Sequence, residues 1–208
     1  YKTIKARELW GAITESAWTS AEPGVWFRER ANKMSNSWYF NRIIATNPCG
    51  EQSLGGFSVC NLGAVNLSKF YDANKQDVAW KQLEKTVQYA VRFLDNVIDI
   101  TPYFFEENAT VQGNERRVGL GTMGIAELMI HLGIRYGGDE SVTFIDKLYK
   151  FIAITAYQTS VELAKEKGAF PKFDNKKFAQ SGFMQTLPEP IRDAVSQHGI
   201  RNVTLLTQ

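Results

Sequence analysis

Apolar residues recur with a helical period in three long stretches of this chain and gather in short runs between them. Over residues 3–19, Ile4, Leu9, Trp10, Ile13 and Ala17 fall near a 3.6-residue spacing, which predicts a helix. Glu22-Pro23-Gly24 breaks it. Residues 35–41 are polar and aromatic and read as loop, and 42–46 is a short apolar run read as a strand or extended segment. Gly55-Gly56 marks a turn, and 61–67 alternates loosely before Ser68. The clearest helix spans about 77–99, where Trp80, Leu83, Val87, Val91, Leu94, Val97 and Ile98 make one apolar face. Thr101-Pro102 stops it. A short strand at 117–120, a Gly-rich turn and a helix at about 125–132 follow. A long helix over roughly 141–167 turns Ile145, Leu148, Ile152, Thr155 and Leu163 inward and stops at Gly168. Residues 171–197 read as loop and short helix, and 203–206 as a closing strand. Helices alternating with short, apolar, β-branched strands predict an α/β fold, helix-rich, with short buried parallel strands.

A length of 208 residues is enough for a domain with a real core. The formal net charge is +2 and the basic residues are scattered, so neither nucleic acid nor an anionic membrane surface is indicated as a partner. No apolar run approaches the roughly 20 residues a membrane span needs, and Tyr1-Lys2-Thr3-Ile4-Lys5 lacks the apolar core of a signal peptide. Two cysteines exclude a disulfide scaffold and, without a Cys/His cluster, a structural zinc site, so a reducing, cytoplasmic setting is expected. The chain starts almost directly with a helix and ends in the strand-like run at 202–208. One incomplete domain over residues 1–208 is therefore expected, a piece of something larger.

Chemistry concentrates at Asn47-Pro48-Cys49-Gly50-Glu51. Pro48 fixes its own φ and pushes Asn47 toward extended geometry, while Gly50 lets the backbone turn or approach a ligand. If the segment is extended, alternate residues share a face and Asn47, Cys49 and Glu51 converge. A carboxylate beside a thiol disfavours the thiolate, which suits a hydrogen-atom donor better than a protease-type nucleophile. The bland alternative is a small buried cysteine in an ordinary turn. Gly119-Leu120-Gly121-Thr122-Met123-Gly124 fits G-x-G-x-x-G but lacks an opening βαβ unit, and reads as a strand-to-helix turn. His131 and His198 read as structural or surface residues. Asp95 and Asp99 read as a solvated helix face, and Glu106-Glu107 as loop surface. Tyr103, Phe104 and Phe105 are expected to pack, and Trp10, Trp18 and Trp26 to lie in the core.

Asn47 to Gln52, followed by Cys60-Asn61-Leu62-Gly63-Ala64-Val65-Asn66-Leu67, resembles the finger-loop signature of ribonucleotide reductases, closest to the adenosylcobalamin-dependent class. The similarity extends to Ala17-Trp18, Pro23-Gly24, Arg117-Val118-Gly119-Leu120-Gly121, Met123-Gly124 and 202–208, and so covers nearly the whole chain. It implies the central part of a ten-stranded α/β barrel made of two five-stranded halves, with a finger loop at about 42–60. It implies reduction of ribonucleoside di- or triphosphates to 2′-deoxyribonucleotides for DNA synthesis. By the same resemblance Cys49 becomes the thiyl radical that removes the ribose 3′-hydrogen, Glu51 takes the 3′-hydroxyl proton, and Asn47 hydrogen-bonds the substrate. Cys60 matches the second of two reducing cysteines, whose partner lies upstream in the family. A Cys49–Cys60 disulfide and an inert buried Cys60 are the competing readings, and the family pattern opposes the disulfide because Cys49 must stay a thiol. The implied cofactor is adenosylcobalamin, though no cobalamin ligand is readable. The implied partners are the remaining reductase segments, a thioredoxin- or glutaredoxin-like reductant, and dNTP effectors bound elsewhere. The fragment alone is expected not to turn over. The rival reading is a non-catalytic module that completes a barrel with other chains, and a degenerate glycyl-radical-like protein is a third.

Overall fold

In the computed structural model, which describes residues 3–206, two helices come first, α1 (Ala6–Ser20) and α2 (Arg28–Met34). A two-stranded hairpin follows, β1 (Ala45–Thr46) against β2 (Ser53–Leu54), then strand β3 (Asn61–Asn66). A second small hairpin, β4 (Tyr71–Asp72) with β5 (Asp77–Val78), leads into α3 (Trp80–Ile100), α4 (Glu106–Glu115) and strand β6 (Val118–Met123). The rest is helical: α5 (Ile125–Leu132), α6 (Asp139–Lys167), α7 (Asn175–Phe178) and α8 (Glu189–His198).

The centre is the parallel pair β3–β6, in register from Asn61–Val118 to Asn66–Met123. Parallel neighbours need a crossover, and α3 and α4 supply it. On the far side of β6 the chain end adds a parallel bridge, Leu120 to Leu206, and Leu120 N donates to Leu205 O at 2.7 Å. α3 lies on both strands and on α6, and its buried Leu83, Val87, Val91, Leu94 and Ile98 are the face the 3.6 period predicts. From α6, Leu148, Ile152, Thr155 and Leu163 are buried as predicted, while Ile145 is half-buried. β6 carries the Gly-rich stretch as strand. Only Gly124 turns, at φ 72°, where a Cβ would stand 2.3 Å from Asn66 Oδ1. No described helix is long and apolar enough to cross a membrane.

Several expectations are corrected. α1 forms, but none of its residues is buried: Trp18 is 87% exposed and Trp10 59%, because no other described element covers that face. Trp26 is half-buried and donates to Ser53 Oγ at 3.2 Å. Phe104, 93% exposed, packs edge-to-face on the exposed Phe105 rather than into the core. Glu106 and Glu107 form the first turn of α4, where acidic residues favour a helix N-terminus. That helix escapes the hydrophobic pattern because its buried residues, Gln112 and Glu115, are polar. The closing strand is one bridge at Leu206, and Tyr1, Lys2, Thr207 and Gln208 lie outside the described residues. Of the ten-stranded barrel implied by the resemblance, the described residues hold β3, β6 and that bridge, and they do not close a barrel.

The largest correction is Asp95, expected in solvent and found 0% exposed. Arg116 Nε donates to it at 2.9 Å, Asn202 Nδ2 at 2.9 Å and Arg201 Nε at 3.3 Å, with Lys167 Nζ at 3.6 Å. Asp99, part-exposed, takes Arg116 Nη1 at 2.8 Å. Burial alone would raise the Asp95 pKa, but the hydrogen bond and charge of Arg116, with Arg201 and Asn202, outweigh it and hold the carboxyl below its usual range. Removing one partner of a buried ion cluster strands the others, so Asp95→Ala should lower unfolding free energy by ~3–5 kcal/mol in urea titrations. The folded pKa is depressed, so the stabilisation is complete above the unfolded value of ~3.9 and fades as pH falls through the folded value. The gap between wild type and Asp95→Asn should therefore narrow in acid below about pH 4. A gap that widens there would refute this assignment.

Candidate functional site

The β1–β2 hairpin carries the Asn-Pro-Cys-Gly-Glu segment at its tip. Gly50 N donates to Asn47 O at 3.0 Å, closing a four-residue turn with Pro48 and Cys49 in the middle. Proline is pre-shaped for the first central position of such a turn. Gly50 follows at φ 81°, a left-handed conformation that costs glycine little. The segment is therefore a turn and not extended, because the hairpin must reverse here. Asn47 braces it twice: its N–H donates to Gln52 O at 3.1 Å, and its Oδ1 accepts from Gln52 N at 3.0 Å. Cys49 stands exposed at the tip, while Glu51 is half-buried and Gln52 buried.

The hairpin is clamped at its root by a carboxylate the sequence did not single out. Asn41, before β1, and Ser58, after β2, both donate to the buried Glu115, and Asn41 Nδ2 also donates to Ser58 Oγ at 3.0 Å. A side chain on Gly55 would collide with Asn41, its Cβ falling 2.1 Å from Oδ1. Glu115 further accepts from Arg117 Nε at 3.0 Å. Arg117 Nη1 reaches Thr204 Oγ1 at 3.4 Å. The cue in the sequence was the charged triplet Glu115-Arg116-Arg117 directly before an apolar strand, since charge at a buried strand head needs partners.

Cys60, part-buried, sits at the head of β3, and both it and the exposed Cys49 are free thiols. Burial pushes the Cys60 thiol up to about 11, Arg117 opposes the rise, and Glu51 and Glu115 add to it. The structure thus brings Glu51 into electrostatic reach of Cys60, with Cys49 two residues away on the tip. A cleft of about 290 Å³ opens at Glu51, lined also by Gln52, Ser53, Arg117, Thr204 and Leu206 among others. Behind it Asn36 donates to Tyr157 OH at 3.1 Å and to Val203 O at 2.9 Å, fixing the cleft wall. His131 stacks on Tyr71, and His198 is exposed at the end of α8. The arrangement offers an exposed thiol, a half-buried carboxylate two residues from it, and a second, shielded thiol.

At about pH 8 a thiol titrating near 11 is only about one part in a thousand thiolate. Iodoacetamide followed by peptide mass mapping should therefore modify exposed Cys49 at least ~10-fold faster than Cys60 in the folded chain, with the difference vanishing in denaturant. Equal rates in the folded chain would contradict this placement.

Sequence comparison gives this site relatives. The family described as "Ribonucleotide reductase, barrel domain" matches residues 1–208. A "Vitamin B12-dependent ribonucleoside-diphosphate reductase" of Mycobacterium tuberculosis is 41% identical over 179 residues, covering 86% of this chain and 26% of the relative. The protein of the same description from Thermoplasma acidophilum is 39% identical, over 87% of this chain and 23% of its own. A "Ribonucleoside-diphosphate reductase subunit alpha" of Chlamydia pneumoniae is 30% identical, over 97% of this chain and 22% of its own. The chain thus spans about a quarter of the length of these relatives.

Proposed function

The chain belongs to the ribonucleotide reductase barrel domain family, and on that premise we propose that it supplies the thiyl-radical finger and one reducing thiol of an enzyme that makes 2′-deoxyribonucleotides. The observation that carries the proposal is the hairpin tip, where Cys49 stands exposed on a braced turn and the half-buried Glu51, two residues on, lies near enough to act on the Cys60 thiol. In this reading the Cys49 thiyl radical takes the 3′-hydrogen atom: the C3′–H bond breaks and an S–H bond forms. Glu51 accepts the 3′-hydroxyl proton, acting as a general base beside the cleft. Asn47 uses Oδ1 to hold the turn, and its Nδ2 is the donor for the substrate. Cys60 and a second cysteine then give two electrons and two protons and become a disulfide as the 2′-hydroxyl leaves as water and C2′ gains a hydrogen. Cys49 returns its hydrogen atom to C3′ and is again the thiyl radical, and a thioredoxin- or glutaredoxin-like dithiol restores the cysteine pair. The substrate is a ribonucleoside di- or triphosphate, and dNTP effectors act from outside these residues. The remaining strands of a ten-stranded barrel would close around β3, β6 and the finger. Two free thiols suit a reducing, cytoplasmic setting.

Two of the relatives are named vitamin B12-dependent, which supports adenosylcobalamin as radical source. The residues of this chain do not by themselves fit that group. The cleft, about 290 Å³, lies at the small end of the ~300–1,000 Å³ typical of drug-sized ligands, and a corrinoid is larger. No step is therefore assigned to residues holding it here.

In the holoenzyme Cys49→Ser should leave substrate intact, with turnover down by at least ~10³-fold, because an alkoxyl radical is far harder to make than a thiyl radical. Cys60→Ser should still consume substrate but release free base instead of deoxynucleotide. Chromatography of the products separates the two outcomes, and turnover by Cys49→Ser would sink the role assigned to it. Adenosylcobalamin should support this activity without an added metal-bearing subunit, and dependence on such a subunit would overturn the cofactor.

A further inference from the structure

The heads of the two central strands bring together a pair of side chains that the reductase reading leaves unconnected. The first registered pair is Asn61 with Val118, so Cys60 and Arg117, one step earlier, begin neighbouring parallel strands. Arg117 is only 1% exposed. Its Nε is spent on Glu115 and its Nη1 on Thr204, but its buried Nη2 has no hydrogen-bond partner among the described residues. A buried guanidinium N–H without an acceptor costs stability, and such groups in native proteins call for a functional account. A thiol is a weak acceptor, whereas a thiolate is a charged one.

We infer that Arg117 is a positioning residue for Cys60: clamped by Glu115, it keeps a fixed positive charge near the strand-head sulfur and supports it when it carries negative charge. The groups facing that sulfur are Arg117 at the head of β6, Glu51 from the finger and Glu115 from the end of α4, so the arginine is the cation set against two carboxylates. The inference rests on the redox role proposed above for Cys60. When a dithiol reductant opens a disulfide that contains Cys60, the attacking thiolate bonds to the other sulfur and the S–S bond breaks. The electron pair leaves on Cys60 Sγ, which then takes a proton from water, and the reductant is left in a mixed disulfide. Stabilising the departing thiolate speeds that step, since a better leaving group departs faster.

The test follows a single thiol in the full 208-residue chain carrying Cys49→Ser. Cys60 alkylation rate against pH reports its thiolate fraction without any turnover, so a failure here leaves the reductase reading standing, and a failure of the reductase reading shows in turnover and not in this rate. Arg117→Gln should move the ionisation midpoint further up and slow alkylation at about pH 8 by ~3–10-fold. Arg117→Lys should recover part of the rate. Glu115→Gln keeps a side chain of the same shape at Asn41 and Ser58, removes one negative charge, and should shift the rate the opposite way. A purely structural arginine predicts a different pattern, in which both variants loosen the site and speed alkylation. An unchanged or faster rate in Arg117→Gln overturns the inference. If that variant does not fold, as judged by circular dichroism, Arg117→Lys decides: alkylation slower than in the wild type supports the inference, and an equal or faster rate overturns it.

Discussion

Four segments of this chain meet on one buried carboxylate. Asp95 stands on the polar side of α3 and is reached by Arg116 from the head of β6, Lys167 from the end of α6, and Arg201 and Asn202 from the C-terminal segment. A lone carboxylate in such a place would neutralise or pull the fold apart, since burying an unpaired charge costs far more than a hydrogen bond returns. Here each oxygen has charged partners, and the cluster fixes how the crossover helix, the central strand and the chain end sit together. Arg116 is strained to do it, with a left-handed φ of 47° at the C-terminal cap of α4. That turn is where the chain stops being helix and starts being the central strand.

A second carboxylate, Glu115, next to Arg116 in the chain, does the same for the hairpin. Glu115 and Arg116 end α4, and Arg117 opens the strand, so consecutive side chains leave the backbone in different directions. Arg116 goes to Asp95, whereas Arg117 goes to Glu115 and the cleft. Glu115 holds Asn41 and Ser58, the two roots of the hairpin, which sets where Cys49 and Glu51 stand relative to Cys60. The polar triplet before β6 therefore connects the anchoring of the core to the placement of the candidate chemistry. Networks of this kind are rigid when every member is satisfied and costly when one is missing.

The turn at the tip and the ladder below it have different physical origins. The tip needs only local stereochemistry: a proline with fixed φ, a glycine at positive φ and an asparagine whose side chain copies a backbone bond. The ladder β3–β6 needs a crossover of more than fifty residues between its strands, and its strand heads acquire their chemistry only once paired. The burial that makes Cys60 a poor thiolate is of this second kind, and so are the carboxylates that add to it, Glu51 from the hairpin and Glu115 from α4, with Arg117 opposing them.

By itself the sequence determined the elements that depend on neighbours within a few turns. The α3 and α6 faces followed from a 3.6 period, and the unusual Asn-Pro-Cys-Gly-Glu segment stood out as a candidate site, whereas the Gly-rich stretch, read as a turn, is strand as far as Met123. Only the tertiary structure decided which polar residues are solvated and which apolar ones are covered. Asp95 looked like a surface carboxylate because the residues that bury it lie 21 and 106 positions away at Arg116 and Arg201. Trp10 and Trp18 looked like core because their spacing is helical, yet spacing says which face is apolar and not what lies against it. The helix α4 was invisible for the converse reason: its inward residues, Gln112 and Glu115, are polar, and Glu115 finds its partners beyond the segment, in Asn41 and Ser58. Periodicity and turn stereochemistry act over a handful of residues and can be read from the chain, whereas the burial of a charge depends on partners that only the fold brings within 3 Å or so.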